Sequence, residues 1–338
     1  MSGGRSTWQW VQLVLGTALG VGLMAWFLGS LEWRALGRVL WEVELHWVGL
    51  AVVAILSHYG FHAWRWGLLL KHLDDGIPLR LLWSSTTILW GFNTVMPLRA
   101  GNVLRPMVIS RHRHLSFTSV LFATAAEYIC DAFGILVMLG ALLWVAPTGA
   151  EGPVADAMWM GQWIGLGALL GFTGVLMLTT ERARVWVERI TEPIGAPRLR
   201  SWLRNTFEHL AAGVVSIRHP MRFGGALAST LGVWGSWLGA IVSTLWAFGL
   251  DLPLEAAIFL EAALSLAMMV PQAPGFLGMF QVVTEQSLGL WHAPAAQAQA
   301  VALVFWSVCF VPVTVLGLLD GARLGLNHPD DPAPDGPV

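Results

Sequence analysis

The stretch Ile88-Leu89-Trp90-Gly91-Phe92-Asn93-Thr94-Val95-Met96-Pro97-Leu98-Arg99-Ala100-Gly101-Asn102 decides the fold. It is apolar enough to enter a bilayer, yet it holds Asn93, Arg99 and Asn102 beside proline and glycine. Pro97 lacks a backbone donor and Gly101 permits a turn, so no unbroken spanning helix can run through it. A second stretch in the other half of the chain has the same character: Met269-Val270-Pro271-Gln272-Ala273-Pro274-Gly275-Phe276-Leu277-Gly278-Met279-Phe280-Gln281. Pro271, Pro274, Gly275 and Gly278 are its expected hinges. Irregular backbone at membrane depth persists only where protein buries it or water reaches it. Paired interruptions in two halves of a membrane chain point to a transporter's binding site. The breaks at residues 96–101 and 271–278 are therefore expected to meet inside the bilayer.

The whole chain suits a membrane. It is 56% hydrophobic and 12% charged over 338 residues, where soluble domains carry about 25% charged residues. Twenty tryptophans suit the bilayer interface. Spans of roughly 20 residues leave no long polar stretch for a soluble catalytic domain. Cys130 and Cys309 lie inside apolar runs and read as small buried hydrophobes rather than as a disulfide or metal framework. The run after Arg5 shows no small-residue cleavage site, so it reads as a retained first helix.

Six stretches are long and apolar enough to cross: about 8–28, 46–70, 116–146, 158–179, 223–249 and 296–319. The interrupted segments, about 79–98 and 255–291, read as re-entrant or broken hairpins. The fold class is thus an all-α polytopic membrane protein with about six spanning helices and two broken hairpins. Residues 1–325 form a single integral membrane domain, and the Pro/Asp-rich 326–338 a disordered tail. One orientation places every basic residue except Arg34, Arg38 and Arg65 on the same, cytoplasmic side. It makes both termini cytoplasmic and lets the two hairpins enter from opposite faces, as an inverted repeat would. Within 181–220, Leu199, Leu203, Phe207, Leu210, Val214 and Ile217 recur at helical spacing, with arginines mostly off that stripe. That segment suits either the inner headgroup layer or a place packed beneath the bundle.

A charge in mid-bilayer costs about 2.5–3.5 kcal/mol even on lenient scales, so each one asks for a reason. Glu127 and Asp131 stand four residues apart, on one helix face. They suggest a cation partner, a proton site or a polar cavity. His58, His62 and Arg65 form another stripe; the histidines face a hydrated cavity rather than a metal, and Arg65 either snorkels to the headgroups or joins the site. Arg99 and Arg105 close the first break and present donor forks that match phosphate oxygens. They are also the arginines expected to reach Glu127 and Asp131. Gly16 and Gly20 mark close helix packing.

These residues resemble a known family. Pro97-Leu98-Arg99-Ala100-Gly101-Asn102-x-x-Arg105 is similar to the Pro-x-Arg-Ala-Gly-Glu-x-x-Arg signature of the lysylphosphatidylglycerol synthase transmembrane, or flippase-like, family. Arg65 with Leu68-Leu69-Leu70 resembles its second helix. Glu127-Tyr128-x-x-Asp131 resembles its Glu-Arg-x-x-Asp helix, and Pro271 to Gln281 its Pro-x-x-Pro-Gly-Gly-Leu-Gly-x-Phe-Glu segment. The likeness covers about residues 8–320. It implies a bacterial inner-membrane protein, and in the multiple peptide resistance factors this module looks like the part that moves aminoacylated phosphatidylglycerol. The soluble aminoacyl-transfer domain is absent, so lysyl transfer does not carry over. Asn102, Tyr128 and Gln281 replace Glu, Arg and Glu. Losing two acids weakens a site for a cationic headgroup, which favours an anionic or neutral polar lipid.

The expectation is a lipid flippase or transporter that is not an enzyme, with no cofactor and no metal. Arg65, Asn93, Arg99, Asn102, Arg105, Glu127, Asp131, Gln272 and Gln281 are its expected translocation residues, and Pro97, Gly101, Pro271, Pro274, Gly275 and Gly278 its hinges. Membrane lipids are the expected partners and nucleic acid is not. A homodimer or a lipid-synthesis enzyme is a further candidate partner. The rival functions are an accessory subunit of such an enzyme, and an intramembrane lipid-modifying enzyme using Glu127, Asp131 and His62 as acid–base groups.

Overall fold

The computed structural model describes residues 7–96, 99–145, 163, 167, 189, 220–269 and 273–325. Among these the chain is helical, without strands: α1 Thr7–Ser30, α2 Trp33–Trp41, α3 Leu45–Leu70, α4 Leu79–Val95, α5 Gly101–Arg113, α6 Phe117–Val145, α7 Pro220–Ala247, α8 Leu254–Met269, α9 Met279–Gly289 and α10 Ala295–Arg323. Among the described residues, four helices are long and apolar enough to cross a membrane: Leu45–Leu70, Phe117–Met138, Gly224–Ala247 and Ala295–Arg323. The segment Thr17–Ser30 of α1 is a shorter apolar helix. The expected span at 158–179, the amphipathic segment 181–220 and the tail 326–338 lie outside, or almost wholly outside, the described residues.

Apolar side chains lie on both the inside and the outside of the bundle. On α10, Phe305, Val308, Cys309 and Val313 are buried while Val311, Val315, Leu318 and Leu319 are exposed. A helix that is apolar all round, with its few polar groups turned inward, belongs in lipid. The main core joins Phe27 of α1, Leu36 of α2, Ile55 and Tyr59 of α3, Ile241 of α7, Leu264 of α8, Phe280 of α9 and Phe305 of α10. Small residues set the closest crossings. Gly91 of α4 and Gly317 of α10 let two backbones touch: a Cβ on Gly317 would stand 2.2 Å from the Thr87 carbonyl oxygen. Both cysteines are buried and free.

Both interrupted segments break within the expected stretches. α4 ends at Val95 and α5 starts at Gly101, folded back so that Asn93 Nδ2 donates to Asn102 Oδ1 at 3.1 Å. With 17 and 13 residues, these helices are about 25 and 20 Å long, short of a hydrocarbon core of roughly 30 Å. Gly101 opens α5 at the edge of this break, and a Cβ there would lie 2.0 Å from the Leu89 carbonyl oxygen. Among the described residues of the break, Arg99 is left-handed (φ 52°).

The second break lies between Met269 and α9, and its described part holds a 3-10 turn, Pro274–Phe276. Gly275 (φ 68°) and Gly278 (φ 86°) take conformations that L side chains avoid. The Gln281 side chain caps α9 by accepting from the Gly278 N–H at 2.8 Å. Gly20 of α1 is pressed against this break, where a Cβ would meet that of Ala273 at 2.3 Å. Pro97, Pro271 and Gln272 lie outside the described residues.

The two breaks touch. Thr94 lies against Gly275, Arg99 donates to the Met268 carbonyl oxygen, and its guanidinium lies 5.7 Å from the centre of the Phe276 ring. The last four carbonyls of a helix have no partner within it, so Arg99 satisfies one of α8's orphans.

Candidate functional site

Beside the meeting breaks, α3, α5 and α6 enclose a network of charges. The 3.6-residue period brings His58, His62 and Arg65 of α3 onto one side, and Glu127 and Asp131 of α6 face them. Arg65 is 0%, Arg105 1% and Glu127 4% exposed. Arg105 Nη1 donates to Glu127 Oε2 at 2.5 Å, and Arg65 Nη2 to Asp131 Oδ1 at 2.6 Å and Glu127 Oε1 at 3.4 Å. Hydroxyls add to this: Thr86 accepts from Arg105 and Thr230 from Arg65, each at 3.2 Å, while the Nε of each arginine is buried without a partner. The Arg105 guanidinium also lies 3.9 Å from the centre of the Trp66 ring. Two guanidinium groups and two carboxylates thus balance in a place where an unpaired charge would cost several kcal/mol.

The histidines extend the network. A carbonyl only accepts, so His58 Nδ1 carries its proton and donates to the Val233 carbonyl at 2.9 Å. His62 Nδ1 lies 3.2 Å from Glu127 Oε1 and 3.2 Å from Arg65 Nη2. It cannot donate to the first and accept from the second at once, so its tautomer decides which bond exists. No group of three or more His, Cys, Asp or Glu side chains suited to a metal occurs among the described residues.

This geometry redistributes the expected roles. Arg65 does not snorkel; it is at the centre of the network, and the exposed neighbour is Trp64. Arg99 and Arg105 do not form one phosphate grip. Arg105 is buried and committed to Glu127, whereas Arg99 is exposed and, among the described residues, has no carboxylate in salt-bridge range. Of the two arginines expected to reach the acids, Arg105 does so through Glu127, and Arg65 makes the contact to Asp131. Asn93 and Asn102 bond each other, leaving Asn93 Oδ1 buried and unpaired. Gln281 serves its helix end. Among the described residues, accessible polar groups beside the network include Arg99, Tyr128 and Asp131, whose side chain is 30% exposed.

Sequence reasoning missed Trp66, Thr86 and Thr230. A tryptophan next to an arginine resembles an interface pair, and only the fold reveals that α5 lays a different arginine on that ring. Gln281 carried a usable signal, since it follows Gly278 at the three-residue spacing of a capping box.

The helices, their apolar exterior and the buried charge network define a multi-pass membrane protein. The family described as lysylphosphatidylglycerol synthase TM region matches residues 13–317, and the chain belongs to that family. It is also similar to "Glycosyltransferase AglD" of Haloferax volcanii, with 22% identity over 93% of this chain and 54% of that protein. The chain thus spans about half the length of that relative. No solved structure matches it.

Proposed function

We propose that this protein moves a lipid with a polar, phosphate-bearing headgroup between the leaflets of a bacterial inner membrane, without altering the lipid chemically. One observation carries the reading: two interrupted helices meet tip to tip, and the guanidinium at their junction, Arg99, is exposed and unmatched by any described carboxylate. Its free donors suit phosphate oxygens. In this reading the hairpins enter the bilayer from opposite faces, the headgroup passes between their tips and the acyl chains stay in lipid. The buried network of Arg65, Arg105, Glu127 and Asp131 holds α3, α5 and α6 in place around that route. Asp131 and Tyr128 line its accessible edge.

The test is translocation of a fluorescent phospholipid by the purified protein in vesicles, alongside mass spectrometry of the lipids that copurify. Wild type should equilibrate the probe between leaflets, and Arg99→Ala should slow it at least tenfold while its thermal unfolding stays near wild type. Equal rates for the two proteins would remove Arg99 from the route, and a chemically altered lipid would make the protein an enzyme. A second reading has its own support, because the similar archaeal protein is named as a glycosyltransferase and is nearly twice as long. In that reading the protein is the membrane module of a lipid-synthesising partner, and it would move lipid only when the partner enzyme is present.

A further inference from the structure

Glu261 stands apart from the charge network. It lies midway along α8, is 0% exposed, and neither of its carboxyl oxygens has a hydrogen-bond partner. Other buried acids are served: Glu127 by Arg65 and Arg105, and Asp320 by the Thr87 hydroxyl at 2.8 Å. One turn on from Glu261, Ser265 spends its hydroxyl on the Glu261 backbone carbonyl at 2.7 Å.

The helices packed against α8 are α6, α7 and α9. On α6 the ionisable residues are Glu127 and Asp131, both bonded to arginine, with Tyr128 exposed and Cys130 buried. α7 has one ionisable residue, Arg222, in its first turn. On α9, Glu285 accepts from the Gln299 amide at 2.9 Å. On α8 itself Glu255 lies in the first turn. None of these bonds to either oxygen of Glu261.

An ionised carboxylate there would lose its hydration and receive nothing in return, whereas the neutral acid loses far less. We propose that Glu261 is a proton-binding site, occupied in the conformation described, through which transport is coupled to a proton gradient. Its position supplies the mechanical link. Two helical turns further on, about 10 Å at 1.5 Å per residue, α8 offers its Met268 carbonyl to Arg99. When Glu261 releases its proton to water, the new carboxylate must gain solvent or a cation. α8 meets that need by shifting, and its shift carries away the carbonyl that Arg99 holds. Proton release and parting of the tips are one event, and rebinding of a proton closes them.

The coupling rests on the transport reading above; the proton site does not, so the two are tested by separate readouts. Infrared difference spectra of purified wild type against Glu261→Gln report the site. At neutral pH wild type should show the C=O stretch of a protonated carboxylic acid that the variant lacks, and absence of that band overturns the site. Vesicles containing a fluorescent phospholipid report the coupling. One proton per lipid under a gradient of about one pH unit should hold the probe about tenfold unevenly between leaflets. Glu261→Gln should give the same even distribution with and without the gradient.

Wild type that moves the probe yet leaves it evenly distributed overturns the coupling, as does a Gln variant that still responds to the gradient. The wild-type arm alone decides the coupling should the variant not fold. Wild type that moves no lipid removes the transport reading and the coupling with it, and a wild-type pH titration of the infrared band then decides the proton site.

Discussion

Arg105 shows at the residue scale why this site resists simple truncation. Its guanidinium binds Glu127, is bonded to Thr86 and stacks on Trp66, all out of solvent. Arg105→Ala would leave the Glu127 carboxylate only the longer contact to Arg65 at 3.4 Å, and breaking a buried pair costs about 3–5 kcal/mol. Replacing both, as Arg105→Met with Glu127→Leu, removes the stranded charge and restores volume. We expect the double variant to unfold in detergent at a higher temperature than Arg105→Ala alone, which a double-mutant cycle of thermal melts would read. A double variant as unstable as the sum of its single changes would mean that the two residues act independently. Arg105→Lys should recover little, because a point ammonium cannot serve two carboxylate oxygens and an aromatic face together.

The helix breaks are the elements on which the site depends, and glycine makes the second one. Gly278 combines φ 86° with a space already filled: a Cβ would stand 2.3 Å from the Gly20 carbonyl oxygen and 2.7 Å from the Met24 nitrogen. Gly249 also has a left-handed backbone (φ 65°), but no atom lies within 4 Å of its Cβ position. Gly249→Ala should therefore cost only the left-handed strain, about 1–2 kcal/mol. Gly278→Ala adds a backbone clash between α1 and α9 and should lower the melting temperature clearly more. Similar melts for the two would show that α1 yields easily at this contact. That the chain breaks at both places was legible in the sequence, because proline and glycine act through local geometry. The left-handed conformation of Arg99 was not legible, nor was the close approach of Gly101 to the Leu89 carbonyl where α5 meets α4.

For the whole molecule, the sequence conveyed class and breaks more readily than partners. Apolar runs and helical spacing report what faces lipid and which residues of one helix share a side. They identified the Glu127–Asp131 pair and the His58–His62–Arg65 stripe as faces. They are silent on how helices rotate against each other. Arg65, flanked by tryptophans, therefore read equally well as an interfacial residue, and Arg99 as a partner for the acids. The orientation in the bilayer is a separate inference from arginine placement. It predicts that cysteines introduced at Gly149 and Gly195 react with an impermeant reagent from opposite sides of sealed membranes. Reaction from one side only would require a different number of crossings between them.

The bond from Arg99 to Met268 leaves an uneven genetic trace. Its acceptor is a main-chain carbonyl, which every residue type supplies, so substitutions at position 268 leave the bond intact. All of the information for this closure is written at one codon, that of the arginine. A pairwise search for complementary side chains would find a donor here and no counterpart. Second-site suppressors of an Arg99 change would accordingly arise where they move the end of α8, not where they replace its side chains.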